Sequence, residues 1–222
     1  METVIEAIKN RHAVRNYEDK KIDPKKAKLL KAELTELNEM GNLHLQFIED
    51  AGNTFNKLLN KAMGLESAPS VIACVGQDDD TLDERVGYYG EQFVLYAQSI
   101  GLNTCWAGTF NRKNIAADIG SEEKLVIVIA IGYGANQGKQ HKSKTPDQVT
   151  AGKTDRPYWF NYGVEMALLA PTAVNQQKFE ISYENGEASI RDKGGILSKV
   201  DLGIVKYHFE AGSEYIKQQS TK

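Results

Sequence analysis

The octet Ala170-Pro171-Thr172-Ala173-Val174-Asn175-Gln176-Gln177 concentrates groups that could hold a ligand. Thr172, Asn175, Gln176 and Gln177 place four neutral hydrogen-bonding side chains within six residues, with small neighbours that allow close approach. Such a surface suits a flat, heteroatom-rich ring better than a metal or a phosphate. Two other stretches carry complementary chemistry. In Arg11-His12-Ala13-Val14-Arg15 the two guanidiniums are four residues apart and can share one side of a helical turn, with His12 beside them. A guanidinium is a rigid fork of donors that fits phosphate oxygens. In the run from Gly101 to Phe110, Trp106 stands among small residues, and Ala107 and Gly108 would let a ligand reach backbone N–H groups. Each stretch also has a plainer reading: a polar loop, a solvated basic helix end, and a Trp that anchors a strand.

The rest of the chain bounds what these residues can serve. Its 222 residues suffice for one large domain with a real core, and 41% apolar with 26% charged residues is ordinary for a soluble globular protein. A net charge of -3 provides no basic field for nucleic acid. No run is long and apolar enough to span a membrane, and the N-terminus reads as helix rather than signal peptide. Cys74 and Cys105 lack metal-ligand spacing and fit reduced thiols, which points to the cytoplasm.

Several elements must position the three stretches. Val4, Ile5 and Ile8 give a short helical face ahead of Arg11. Asp23-Pro24 starts a second helix with the stripe Leu30, Leu34, Leu37, and Gly41 supplies its stop. Leu43, Leu45 and Phe47 alternate as a strand. Phe55, Leu58, Leu59 and Ala62 return to helical spacing before Ala68-Pro69-Ser70 breaks it. Residues 71–75 form a continuous apolar run, hence a strand buried on both faces. The turn at Asp78, Asp79 and Asp80 reads as solvated loop, because its spacing lacks the alternating ligands of a calcium site. Residues 82–100 are the strongest helix, with Gly90 inside it and Gly101 at its end.

Asn111 can cap a short helix through Ile119, and residues 125–131 read as a strand. Gly132-Tyr133-Gly134 is no dinucleotide fingerprint, since it lacks the third glycine and an opening helix. Lys139, His141, Lys142 and Lys144 make a basic loop. The aromatic triplet Tyr158-Trp159-Phe160 precedes a helix capped at Asn161, which Pro171 ends. Asn185-Gly186 signals a hairpin after the strand-like residues 179–183, and Asp201 can cap a final helix bearing Leu202, Val205 and Phe209.

The order of these signals resembles the nitroreductase family of flavin enzymes. An early Arg-x-x-x-Arg is followed by a long helix ending in Gly-Leu-Asn-Thr-Cys-Trp-Ala-Gly-Thr-Phe, an apolar strand ending in Ile-Gly-Tyr, and a basic loop. The resemblance covers roughly residues 1–150 and the octet. It is nearest to the branch in which the Ala-Pro-Ser-Ala-x-Asn-x-Gln element lies late; in more typical members it follows the first arginine motif closely. It implies an α+β fold, a central, mainly antiparallel sheet flanked by helices, and FMN at a homodimer interface. The chain is then one domain, 1–222, in which 1–150 form the main flavin-binding part and 151–222 complete the site.

By matching motif, the resemblance assigns Arg11, His12 and Arg15 to the FMN phosphate. Ala13 stands where a Ser is usual, so a hydroxyl contact is missing while its backbone N–H remains. Pro171, Thr172, Asn175 and Gln177 would line the flavin ring. Trp106, Ala107 and Gly108 would bring backbone donors toward its redox edge, while Cys105 would be buried rather than catalytic. Lys142 and Lys144 best match a late basic residue near the phosphate. No catalytic side chain and no metal is implied: FMN carries the chemistry, taking a hydride from NADH or NADPH and passing it to a nitroaromatic, quinone or similar acceptor in ping-pong turnover. The alternative is a flavin carrier or redox-sensing module without turnover.

Overall fold

In the computed structural model, residues 3–51, 54–55, 65, 68–152 and 155–220 are described. The centre is built by β2 (Ser70–Gln77) and β4 (Glu123–Gly132), both apolar on both faces. They pair antiparallel and are flanked by β1 (Leu43–Ile48) and β3 (Asn103–Ala107), giving the order β1-β2-β4-β3 with every neighbouring pair antiparallel. Alternation sorts the side chains. Ile72, Cys74, Ile127, Ile129 and Ile131 face one core, and Val71, Ala73, Val75, Val128 and Ala130 face the other. A bulge between Cys74 and Val75 shifts the register, so that Val75 pairs with Leu125 and Val126 turns to the first core.

Helices cover the first core. Helix α1 spans Val4–Asn10 and starts with a reciprocal capping box between Thr3 and Glu6. Helix α2 spans Pro24–Gly41; Asp23 caps it by accepting from Lys25 N at 2.8 Å, and Leu30, Leu34 and Leu37 are buried as their spacing predicts. Its stop differs from expectation. Gly41 lies inside the helix against Tyr89, and Asn42 takes the left-handed conformation (φ 46°) that ends it. Helix α3 (Leu82–Ser99) is the long helix expected from the pattern. Helix α4 (Pro146–Val149) leads into the short strand β5 (Thr150–Gly152). Helix α5 (Tyr158–Ala167) begins at Tyr158 rather than after Asn161: the aromatic triplet lies in its first turn and Asn161 within the helix. Strands β6 (Phe179–Glu184) and β7 (Glu187–Asp192) form the hairpin that Asn185-Gly186 signals, both turn residues having positive φ. With β5 parallel to β6 they make a second, three-stranded sheet. Helix α6 (Ser198–Ser220) closes the fold.

Other expectations need correction. The helix from Asn111 to Ile119 shrinks to one 3-10 turn, Arg112–Asn114, which Asn111 does cap through Lys113 N. Beyond it the Gln46 side chain takes both backbone groups of Asp118, donating to its O at 2.6 Å and accepting from its N at 2.8 Å, which holds the segment extended along β1. Asp201 is not an N-cap; it sits inside the first turn of α6 and points its carboxylate elsewhere. The helical spacing at Leu58, Leu59 and Ala62 lies outside the described residues. The acidic turn is exposed, and among the described residues no cluster of three or more His, Cys, Asp or Glu could hold a metal. Among those residues, too, no helix is long and apolar enough to cross a membrane.

One packing feature places the site. Helices α3 and α6 touch backbone to backbone: a Cβ on Gly87 would lie 2.0 Å from Val200 O, and one on Gly203 would lie 2.0 Å from Glu84 O. Only glycines permit this crossing. It brings the first turns of α6 over the end of the central sheet where β3 leaves it.

Candidate functional site at the meeting of the two chain halves

A cavity of about 730 Å³ opens there, within the range of roughly 300–1,000 Å³ usual for small-molecule sites. Its lining comes from two separated parts of the chain. Arg11, Ala13, Arg15 and the run Cys105–Thr109 form the N-terminal wall. The run Pro171–Val174 and residues 196, 197, 200, 201 and 204 form the C-terminal wall.

The N-terminal wall departs from the helical turn expected for Arg11 and Arg15. The helix ends at Asn10, Arg11 is already extended, and Ala13 bridges in parallel to Thr104 of β3. The pairing with β3 overrides the local i,i+4 geometry. Val14 N donates to Thr104 O at 3.0 Å, which leaves the Ala13 N–H outside that bridge. Arg15 is exposed and forms no ion pair among the described residues. Arg11 is buried beside Glu91, Nε to Oε1 3.7 Å, yet its Nε has no hydrogen-bond partner.

Glu91, on α3, organises the layer below. Its carboxylate accepts from Trp106 Nε1 at 2.8 Å and contacts His208 Nε2 at 2.9 Å. His208 Nδ1 lies 3.1 Å from Met166 O. A carbonyl only accepts, so Nδ1 carries a proton, and the Glu91 contact needs a second proton on Nε2 or on the carboxyl. Trp106 also presses on Gly90, where a Cβ would fall 2.5 Å from Cη2. This explains the glycine inside α3 and fixes the indole at the cavity. The plainer reading of Trp106 as an anchor and the reading of it as a wall thus hold together. Burial pushes the Cys105 thiol up, so it lines the cavity as an apolar group.

The C-terminal wall is held differently. Pro171 follows the end of α5, and a 3-10 turn, Ala173–Asn175, carries the octet. Val174, Asn175 and Gln177 all have positive φ, at 46°, 54° and 46°. A β-branched residue in that region is strained, and the network around it must hold it there. Asn175 Nδ2 and Gln177 Nε2 both donate to Lys142 O at 2.9 Å. Lys144 N donates to Gln177 Oε1 at 2.8 Å, and Lys144 Nζ to Gln177 O at 2.6 Å. Thr172 Oγ1 accepts from Gln177 N at 3.1 Å. Asp201 accepts from Ala173 N at 2.9 Å and from Gln176 Nε2 at 2.7 Å, which ties the octet to α6.

Of the residues singled out in the sequence, Arg11, Ala13, Arg15, Trp106, Ala107, Gly108, Pro171 and Thr172 therefore meet around one cavity. His12, Lys142, Lys144, Asn175 and Gln177 are not among its lining residues. Four of these five form the clasp between the basic loop and the octet. His141, in the same loop, contacts Leu168 O through Nε2 at 3.0 Å, and its burial lowers its pKa. Asp201, Val200, Ile204 and Leu197 are wall residues that the motifs did not reveal. The available signal was an acid on the core-facing stripe of the last helix, in register with Leu197, Ile204 and Val205.

This architecture is shared with nitroreductases of known structure. A Thermotoga maritima protein described as a putative nitroreductase superposes with a TM-score of 0.67 at 25% identity, over 97% of this chain and 86% of that one. A nitroreductase family protein from Streptococcus pneumoniae (TM-score 0.53, 14% identity) and a putative NADH oxidase from Clostridium acetobutylicum (0.50, 20%) each match 68% of this chain and 100% and 99% of their own. These two show the fold alone. The chain belongs to the nitroreductase family described as Putative TM nitroreductase, whose model matches residues 3–213, and with that to the oxidoreductases. No curated protein matches the sequence.

Proposed function

We propose that the chain is an FMN-dependent oxidoreductase that takes reducing equivalents from NADH or NADPH and passes them to a nitroaromatic, quinone or related small acceptor by ping-pong turnover. One observation carries this reading: a cationic strand segment, a Trp-Ala-Gly loop and the start of the octet meet around one ligand-sized cavity. The residues fit FMN. Arg11 Nε, though ion-paired with Glu91, is a buried donor without a hydrogen-bond partner, and Arg15, with no ion pair among the described residues, adds a second guanidinium for a phosphate. The Ala13 N–H lies beside them. Apolar residues of α6 and the Pro171–Thr172 corner give a ring a dry wall. When bound, FMN supplies hydride acceptance and donation; the chain binds it, orients it and limits water. Donors at the Trp106–Gly108 loop would favour negative charge on the reduced ring.

A homodimer, in this proposal, covers the mouth of the cavity, where Val174 and Ile196 are 77% and 65% exposed. The two free cysteines suit a reducing, cytoplasmic setting. A second reading, a flavin-binding protein without turnover, is favoured by one observation. The Asn175 and Gln177 amides are engaged with the basic loop and leave fewer donors for the ring.

The visible spectrum of the purified protein, before and after anaerobic NADPH or NADH, separates these readings. A yellow protein that bleaches is the expected result. A protein that stays yellow with both donors favours the binder. A colourless protein that takes up no added FMN ends the flavin reading.

A further inference from the structure

Among the described residues that line the cavity, Asp201 is the one carboxylate. It lies in the first turn of α6, on the stripe that faces the site, and the α3–α6 glycine crossing holds it there. Its two hydrogen bonds, from Ala173 N and Gln176 Nε2, would stabilise an anion left behind after proton loss, as would the positive end of the helix. We propose that Asp201 is the proton donor to the electron acceptor in this cavity. The assignment rests on the oxidoreductase reading above.

The step balances with a quinone as the acceptor. The quinone takes a hydride, with its electron pair, from the reduced cofactor, and a proton from the Asp201 carboxyl. The Asp201 O–H bond breaks, a phenolic O–H bond forms, and the product is a hydroquinone. The Asp201 carboxylate then regains its proton from water.

Burial raises the Asp201 pKa from 3.8 to about 6, against the lowering effect of its two hydrogen bonds. A donor so tuned holds a usable proton near neutrality. Among the described residues, three other titratable groups line the same cavity. The N-terminal segment contributes Arg11 and Arg15, and β3 contributes the Cys105 thiol. On α3, Glu91 is paired with His208, and Glu84 with Lys206 of α6. From the octet, Gln176 is neutral.

The test uses the full chain in two states. In the FMN-loaded protein, pre-reduced anaerobically, reoxidation by benzoquinone is followed by stopped flow between about pH 5 and pH 8. Wild-type reoxidation should fall as pH rises through about 6. In Asp201→Asn it should be slower by roughly 10²–10⁴-fold at the acid end and flat with pH. In the flavin-free protein, urea unfolding reads the same proton without turnover. Because the folded carboxyl has the raised pKa, wild type should lose stability relative to Asp201→Asn as pH rises from about 4 to about 6. A flat wild-type reoxidation profile, or equal rates in the two proteins, overturns the assignment. So does a stability difference that does not change with pH. If the variant fails to fold, the wild-type profile and its solvent isotope effect decide alone: a flat profile without an isotope effect overturns it. A protein that takes up no FMN ends the functional reading and this assignment together. A protein that binds and reduces FMN but reoxidises without pH dependence ends only the assignment.

Discussion

The two walls of the cavity use polar residues in opposite ways. On the N-terminal wall, Arg15 has no ion pair among the described residues and Arg11 Nε has no hydrogen-bond partner. On the C-terminal wall, the polar side chains of the octet are bonded to the protein itself. Asn175 and Gln177 hold Lys142 O, Gln177 and Lys144 hold each other, and Gln176 holds Asp201. The first wall has capacity left for a ligand. The second uses its capacity to fix a backbone turn with three positive-φ residues. A motif rich in donors thus need not be a row of ligand contacts. Here it is mainly the frame that holds Pro171, Thr172 and Ala173 at the cavity.

Arg11 is where this contrast is most exposed to test. Arg11→Ala removes a guanidinium from the ligand wall and leaves Glu91 buried with only Trp106 and His208. Losing one partner of a buried ion pair costs about 3–5 kcal/mol, so urea unfolding of the flavin-free protein should show a loss of that order. FMN binding should fail with it. A loss under about 1 kcal/mol would mean that the two remaining partners satisfy Glu91, and that Arg11 is free for the ligand alone.

Arg15→Ala sharpens the comparison, because the exposed Arg15 has no ion pair or hydrogen-bond partner among the described residues. Stability should stay within about 0.5 kcal/mol of wild type. Loss of a charge-assisted phosphate contact, about 1.5–3 kcal/mol, should weaken FMN by roughly 10- to 100-fold and leave riboflavin, which has no phosphate, unchanged. Fluorescence titrations with both flavins read this directly. Equal losses for the two would remove Arg15 from the phosphate site.

Gln177→Ala is the mirror experiment on the other wall. Gln177 is 3% exposed and makes bonds to Lys142, Asn175 and Lys144. Its truncation leaves buried groups unpaired, which costs about 1–3 kcal/mol of stability. Flavin and FMN affinities should fall together and by less than for Arg15→Ala. A selective loss of ring binding at unchanged stability would instead return Gln177 to the ligand-contact role that its motif suggests.

What the sequence made legible follows the range of the forces involved. Helices α1, α2 and α3, strands β1, β2 and β4 and the β6–β7 hairpin rest on local periodicity and turn chemistry, and they form where they were read, the stop of α2 apart. The residues of the N-terminal wall were legible by type, but not their conformation. The Ala13–Thr104 bridge joins segments about ninety residues apart and replaces the expected helical turn with a strand segment. Asp201 has good N-cap chemistry, and no local signal says that its carboxylate instead reaches back to Ala173, 28 residues away. The α6 side of the cavity was hidden for a related reason. It depends on two close approaches between helices, Gly87 against Val200 and Gly203 against Glu84, which glycine spacing alone does not announce.

The smallest predicted effect tests Ala13, where the chain lacks the hydroxyl that the resemblance calls for. Ala13 lines the cavity, and its peptide is pinned by the bridge to Thr104. A serine there would need no new backbone conformation, and its hydroxyl would enter a site that already holds two guanidiniums. Ala13→Ser should therefore tighten FMN by one ordinary hydrogen bond, about 0.5–1.5 kcal/mol, and leave riboflavin unchanged. Isothermal titration of both flavins measures the difference. If FMN binding does not tighten, the Ala13 N–H and the arginines already saturate the phosphate oxygens, and the missing hydroxyl is compensated on the N-terminal wall. If riboflavin tightens as much as FMN, position 13 faces the ring, and the phosphate end of the cavity must be reassigned away from this segment.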